Sequence, residues 1–212
     1  MVGIVDYNAG NITSVARALE CLGVPHVVSK TPDELQGCSK LIFPGVGDAS
    51  YAMDQLRSSG LASFLKESSA GGKLILGICL GSQVIFEHSD EGDVDCLGLL
   101  PGCVRGFSTL FAECAVDPLS FKVPHMGWND LCVTGECPLL AGVDSRASFY
   151  FVHSYVICPA DETIVKAWAD YGVRVPAIVQ KGNVAACQFH PEKSGGEGLK
   201  ILANFCRKGF SF

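Results

Sequence analysis

Through its first eighty residues the chain alternates short apolar runs with segments that are apolar at every third or fourth position. Residues 2–6, 27–28, 41–43 and 74–78 form the runs, and their length and flanking turn residues predict strands. Residues 11–22 repeat with helical period, placing Ile12, Val15, Ala16 and Leu19 on one face, and residues 51–56 and 61–66 are also helical in pattern. The strand candidates are continuously apolar rather than alternating, the pattern of strands covered on both faces. Strand–helix alternation of this kind predicts an α/β fold with a mostly parallel sheet flanked by helices. Sites in such sheets lie at the carboxyl ends of the strands. Asp6, the segment Gly45–Gly47 and Cys79 all fall there.

From about Cys103 the pattern changes. Runs become shorter and richer in Val, Phe, Tyr and Trp, with turn residues between them. Residues 149–156, 163–169, 177–180 and 184–188 read as strands, partly as additional β-hairpins, and residues 198–208 as a closing helix. No repeat and no linker divides the chain, so residues 1–212 are expected to form a single domain.

Composition narrows the picture. With 212 residues, 48% hydrophobic and 18% charged, the chain is globular in composition. A net charge of −6 argues against a nucleic-acid binder, which needs a basic footprint. No stretch approaches the roughly 18 consecutive apolar residues of a membrane span. The start, Met1-Val2-Gly3-Ile4-Val5-Asp6, lacks the charged and apolar regions of a signal peptide. The 11 cysteines are odd in number and include no Cys-x-x-Cys pair, which argues against a disulfide framework or zinc ribbon. Cys132 and Cys137 come nearest to a ligand spacing, and no His pair completes a site. No metal and no cofactor is expected, and a reducing cytoplasm suits so many thiols.

The chemistry concentrates at Gly77-Ile78-Cys79-Leu80-Gly81. An apolar strand enters this segment and a helical pattern, Ser82-Gln83-Val84-Ile85-Phe86-Glu87, leaves it. Strand, sharp turn and helix with a nucleophile between glycines is the nucleophile-elbow pattern, here with Cys for Ser. A thiol at a helix start also feels the positive end of the helix dipole, which favours thiolate. Alone, the segment is suggestive only, since an ordinary buried cysteine at a strand end is the rival reading. Gln188-Phe189-His190-Pro191-Glu192-Lys193 changes that balance. His190 can serve as general base toward a thiol, and Glu192 can orient its ring across Pro191, whose φ is fixed. Oxyanion donors are expected from the backbone N–H of Leu80 and from Val46 and Gly47, in the Pro44-Gly45-Val46-Gly47 turn after a strand.

Together these segments resemble the class I (triad-type) glutamine amidotransferases. Three others resemble one branch, the glutaminase subunits of imidazole glycerol phosphate synthase: Asp6-Tyr7-Asn8-Ala9-Gly10-Asn11, Val123-Pro124-His125-Met126-Gly127-Trp128-Asn129 and Phe151-Val152-His153-Ser154-Tyr155. Ser82 stands where that family often has Met, and Ala186 where Gly is common. The resemblance implies a flavodoxin-like fold and hydrolysis of L-glutamine through a thioester on Cys79, with His190 and Glu192 completing the catalytic set. It also implies substrate contacts from Gly47, Gln83, Glu91, Ser154 and Tyr155. A heterodimer with a HisF-type (β/α)₈-barrel cyclase is implied as well, docked through Asn11, Met126, Trp128, Tyr150 and Lys193. Other readings of the same residues are a glutaminase serving a different synthase, a Cys–His peptidase acting alone, and a partner-binding subunit without activity.

Overall fold

A computed structural model describes all of residues 1–212. In the first part strands and helices alternate: β1 (Val2–Val5), α1 (Ile12–Cys21), β2 (His26–Ser29), α2 (Pro32–Gln36), β3 (Lys40–Gly45), α3 (Ala49–Ser58), α4 (Leu61–Ala70), β4 (Leu74–Cys79) and α5 (Leu80–Val84). The second part continues with β5 (His88–Ser89), β6 (Val94–Asp95), β7 (Gly102–Gly106), α6 (Phe107–Glu113), β8 (His125–Asp130), β9 (Cys132–Val133), β10 (Ser148–His153) and β11 (Tyr155–Pro159). It ends with β12 (Val165–Asp170), β13 (Arg174–Lys181), β14 (Val184–Cys187) and α7 (Gly195–Cys206).

The main sheet has strand order β2-β1-β3-β4-β14-β13-β12-β9. Pairing is parallel from β2 to β14 and antiparallel beyond it. Successive side chains of its central strands enter opposite layers. Leu41, Phe43 and Ile75 pack in one apolar cluster, and Ile4, Ile42, Leu76 and Ile78 in the other. That alternation through uniformly apolar strands is the physical content of a sheet covered on both faces. Lys40 enters the buried edge of β3 and donates from Nζ to the carbonyls of Phe205 at 2.6 Å and Arg207 at 2.7 Å, tying down the end of α7. Those carbonyls lack intrahelical partners, so a cation there stabilises the helix terminus.

Four segments depart from the sequence reading. The apolar run 149–156 is two strands in different sheets: β10 pairs with β8, and β11 with β7, the chain crossing at Ser154. Residues 32–36, to which the sequence pattern assigned no element, form α2, begun by Pro32 at a position where its missing N–H costs nothing. The segment after Cys79 is helical only to Val84, shorter than the pattern Ser82–Glu87 predicts, and residues 107–113, aromatic-rich and read with the β region, form α6. No helix is long and apolar enough to cross a membrane.

Candidate active site

The β4–α5 turn is built by close packing. A Cβ on Gly77 would lie 2.7 Å from the Gly81 carbonyl oxygen, and one on Gly81 would drive into the carbonyl of Phe43. Only glycines allow β3, β4 and α5 to approach so closely. Cys79 sits at the apex with φ 54° and ψ −112°, a conformation that costs a non-glycine residue energy and persists only where its surroundings enforce it. The residue is 7% exposed, and its thiol donates to the Val152 carbonyl at 3.8 Å.

His190 follows β14, the strand beside β4 in the parallel part of the sheet. Its Nδ1–H donates to Glu192 Oε1 at 2.7 Å, with both side chains 1% exposed. Asn11 reaches the same carboxylate oxygen at 3.5 Å from the start of α1. Burial alone favours the neutral ring, but the Cys79 sulfur and the Glu192 carboxylate raise the pKa of His190 to about 9. Nε2, the nitrogen that would serve the thiol, is buried and makes no hydrogen bond at rest. The thiol is therefore directed at Val152 while its nearest base stands unpaired, a loose arrangement common in sites that tighten on ligand binding.

Cys79 and His190 line one cavity of about 270 Å³. Val46, Gly47, Leu80, Gln83, Glu91, Ser154 and Tyr155 line it too, while Glu192 lies behind the imidazole. Neither Val46 nor Gly47 donates its N–H to any group of the chain, and Leu80 occupies the first position of α5, where N–H groups have no intrahelical acceptor. Gly47 has φ 98°, which opens the loop conformation to it. Glu91 is half-buried and accepts from the Ala49 N–H at 2.9 Å; burial raises its pKa, with Ala49 opposing and Asp48 reinforcing the shift. Val152, Pro124 and His153 complete the wall. Sequence reasoning quoted these three within motifs but gave them no role, because a wall contact leaves no local spacing signal.

The five residues expected at a partner face divide between surface and site. Met126 and Trp128 are 61% and 59% exposed. They lie on a strand, β8, rather than a loop, and their alternation with buried His125 turns both outward. Trp128 pairs across the ribbon with Tyr150, ring centroids 6.1 Å apart, and Lys193 Nζ lies 5.9 Å from the Tyr150 ring. Asn11, partly buried, points instead to the buried carboxylate of Glu192.

Several known proteins are similar to this chain. The family model described as "Glutamine amidotransferase class-I" matches residues 3–208. The chain is 44% identical over 207 residues to "Imidazole glycerol phosphate synthase subunit HisH" of Nitratidesulfovibrio vulgaris (strain Hildenborough), covering 98% of this chain and 96% of the relative. It is 48% identical over 208 residues to the protein of the same description from Bacillus velezensis, again covering 98% and 96%. Among solved structures, one described as "Crystal structure of glutamine amidotransferase" aligns with TM-score 0.71 at 23% identity, covering 96% of each chain. The "Structure of PurLQS from Thermotoga maritima" aligns with TM-score 0.72 at 22% identity, likewise covering 96% of each chain, a likeness of fold.

Proposed function

We infer the activity of this site from the family it sits in: the chain belongs to the class-I glutamine amidotransferases, and among them to the HisH subunits of imidazole glycerol phosphate synthase. It hydrolyses glutamine to glutamate and ammonia within a synthase of histidine biosynthesis. The observation that carries the residue assignment is that Cys79 and His190, 111 positions apart in sequence, line one cavity with Glu192 on the far side of the imidazole.

In this reading the Cys79 sulfur attacks the side-chain carboxamide carbon of glutamine. The oxyanion that forms is met by the N–H groups of Leu80, Val46 and Gly47; a single such donor is commonly worth about 10²–10³ in rate. His190 delivers a proton to the leaving nitrogen, ammonia departs and a γ-glutamyl thioester remains on Cys79. The same imidazole then takes a proton from water, which attacks the thioester and frees glutamate and the thiol. Glu192 keeps the ring oriented and stabilises its charged form. Glu91 suits the α-ammonium group of the substrate, since its second oxygen has no partner in the chain, while Gly47, Gln83, Ser154 and Tyr155 hold the rest of the amino-acid end.

Ammonia released into water would be protonated and lost as a nucleophile. The partner is a cyclase subunit, a HisF-type (β/α)₈ barrel, that receives ammonia and forms imidazole glycerol phosphate and an aminoimidazole carboxamide ribotide. Met126, Trp128, Tyr150 and Lys193 form the docking face, with Asn11 behind it; Trp128 is exposed and packs beside Tyr150, and Trp and Tyr are the commonest anchors of such a face. The cytoplasm is the compartment. The test is Cys79→Ala in the cyclase complex. Glutamine-dependent synthesis should vanish and ammonia-dependent synthesis should persist. Loss of both would move Cys79 from chemistry to folding or docking.

A further inference from the structure

Behind the cavity runs a hydrogen-bonded chain that the chemistry above leaves without a role. Asn129 Nδ2 donates to the Asp170 carbonyl at 2.8 Å and to His125 Nε2 at 3.3 Å. His125 Nδ1 and His153 Nε2 are 3.0 Å apart, and His153 Nδ1 lies 2.7 Å from the Tyr155 carbonyl. Carbonyl oxygens only accept, so both ends of the chain fix its direction. The Tyr155 carbonyl requires the His153 proton on Nδ1. His153 Nε2 is then an acceptor, so His125 donates from Nδ1 and accepts at Nε2 from Asn129. Each contact holds one proton and none is spare.

A second chain reaches the same carbonyl. Gln83 Nε2 donates to Tyr155 O at 3.1 Å and to Gln188 Oε1 at 3.1 Å. Both amide hydrogens are thereby used, and Oε1 is the polar atom Gln83 has left for the cavity it lines. The two histidines are almost wholly buried, and burial holds them neutral, with pKa values near 4 for His125 and near 3 for His153. The His125 ring is stacked between Tyr171, at 3.9 Å, and Phe151, at 4.8 Å. Buried networks with every member satisfied rigidify what they touch. Here they converge on the carbonyl of Tyr155, the residue after Ser154, where the chain leaves one sheet for another.

We propose that His125 is a positioning residue for glutamine binding: through His153 it holds the Ser154–Tyr155 backbone and, by way of the shared carbonyl, fixes the Gln83 amide with its oxygen toward the substrate. The assignment rests on the cavity taking glutamine. His125 does not line that cavity. It lies instead on β8 between the outward-facing Met126 and the core, which places the network directly beneath the docking face.

The test is steady-state glutamine hydrolysis by the cyclase complex. His125→Phe keeps a ring between Tyr171 and Phe151 and removes both nitrogens; His125→Asn returns a donor near the place of Nδ1. The Phe variant should raise KM for glutamine about tenfold, the scale of one lost buried hydrogen bond, with kcat within about twofold. The Asn variant should recover most of that loss, and iodoacetamide, which lacks the amino-acid end, should alkylate Cys79 at the wild-type rate in both. Should His125→Phe fail to fold, Asn129→Leu, which removes the far donor, should raise KM about threefold. Unchanged KM, a fall confined to kcat, or an Asn variant no better than Phe would overturn the assignment. A wild-type complex that does not hydrolyse glutamine would instead overturn the reading of the cavity itself, and this assignment with it.

Discussion

The parallel half of the main sheet and the β8–β10 ribbon each hold part of one cavity's wall in place, by opposite means. Around Cys79 the means is contact: β3, β4 and α5 meet at glycines, with no room for a methyl group. Around Tyr155 it is a line of hydrogen bonds through Asn129, His125 and His153, with an exposed aromatic face on the ribbon's other side. Packing of the first kind fixes a position but cannot easily be adjusted. A hydrogen-bonded line beneath a docking surface can pass a displacement on. On the proposed reading the nucleophile stands in the tightly packed half, and the substrate is held jointly by that half, through Gly47 and Gln83, and by Ser154 and Tyr155 at the end of the ribbon.

The sharpest way to break the comparison is to add one methyl group on each side. Gly81→Ala should abolish glutaminase activity and destabilise the chain by more than about 3 kcal/mol in denaturant unfolding, since its Cβ meets Phe43 backbone. On the other side the glycine to change is Gly106 in β7, paired with Tyr155 in the sheet next to the ribbon; Gly106→Ala, whose Cβ would find its nearest atom 3.7 Å away, should change stability by less than about 0.5 kcal/mol. Equal costs would mean that the two regions do not differ in tightness. Next in size is Glu192→Gln, which should lower kcat about 10²-fold with KM within about twofold, because the carboxylate acts through the ring it orients. Trp128→Ala should weaken the cyclase complex by about 2 kcal/mol, measured by calorimetry, without moving the melting temperature of the isolated chain.

The mildest probe is pH. His125 and His153 titrate near 4 and near 3 when folded, below the ordinary value near 6.5 that they take unfolded. Below pH 6.5 the unfolded chain binds more protons, so their contribution is complete above that pH and is lost as pH falls toward 4. At pH 6 the loss should be on the order of 1 kcal/mol, and His125→Phe should flatten the slope. His190 has the opposite sign: its contribution is complete below 6.5 and is lost as pH rises through about 9. An unaltered slope in the variant would show that the buried pair does not stay neutral.

The two regions also differ in how plainly they were written. Buried parallel strands are unbroken apolar runs bounded by Gly and Pro, so residues 41–43 and 74–78 announced β3 and β4 to within three residues at each end. The fold class follows from that alternation. In the second half, residues 149–156 form one continuous pattern although the chain changes sheets at Ser154, because the partner of a strand is chosen by tertiary packing. Thr31-Pro32-Asp33-Glu34 carried a helix-start signal for α2 that the short segment concealed. The elbow and the His-Pro-Glu segment were readable because their chemistry is local. The His125–His153 pair was not: the partners stand 28 residues apart and nothing in either motif names the other.

Covalent capture tests the assignment of Cys79 most directly. The complex would be treated with a chloroketone analogue of glutamine and its peptides mapped by mass spectrometry, with and without excess glutamine. A single adduct on Cys79, out of 11 cysteines, suppressed by glutamine, is the result expected. An adduct on another cysteine, or glutamine turnover that continues in Cys79→Ala, would contradict it.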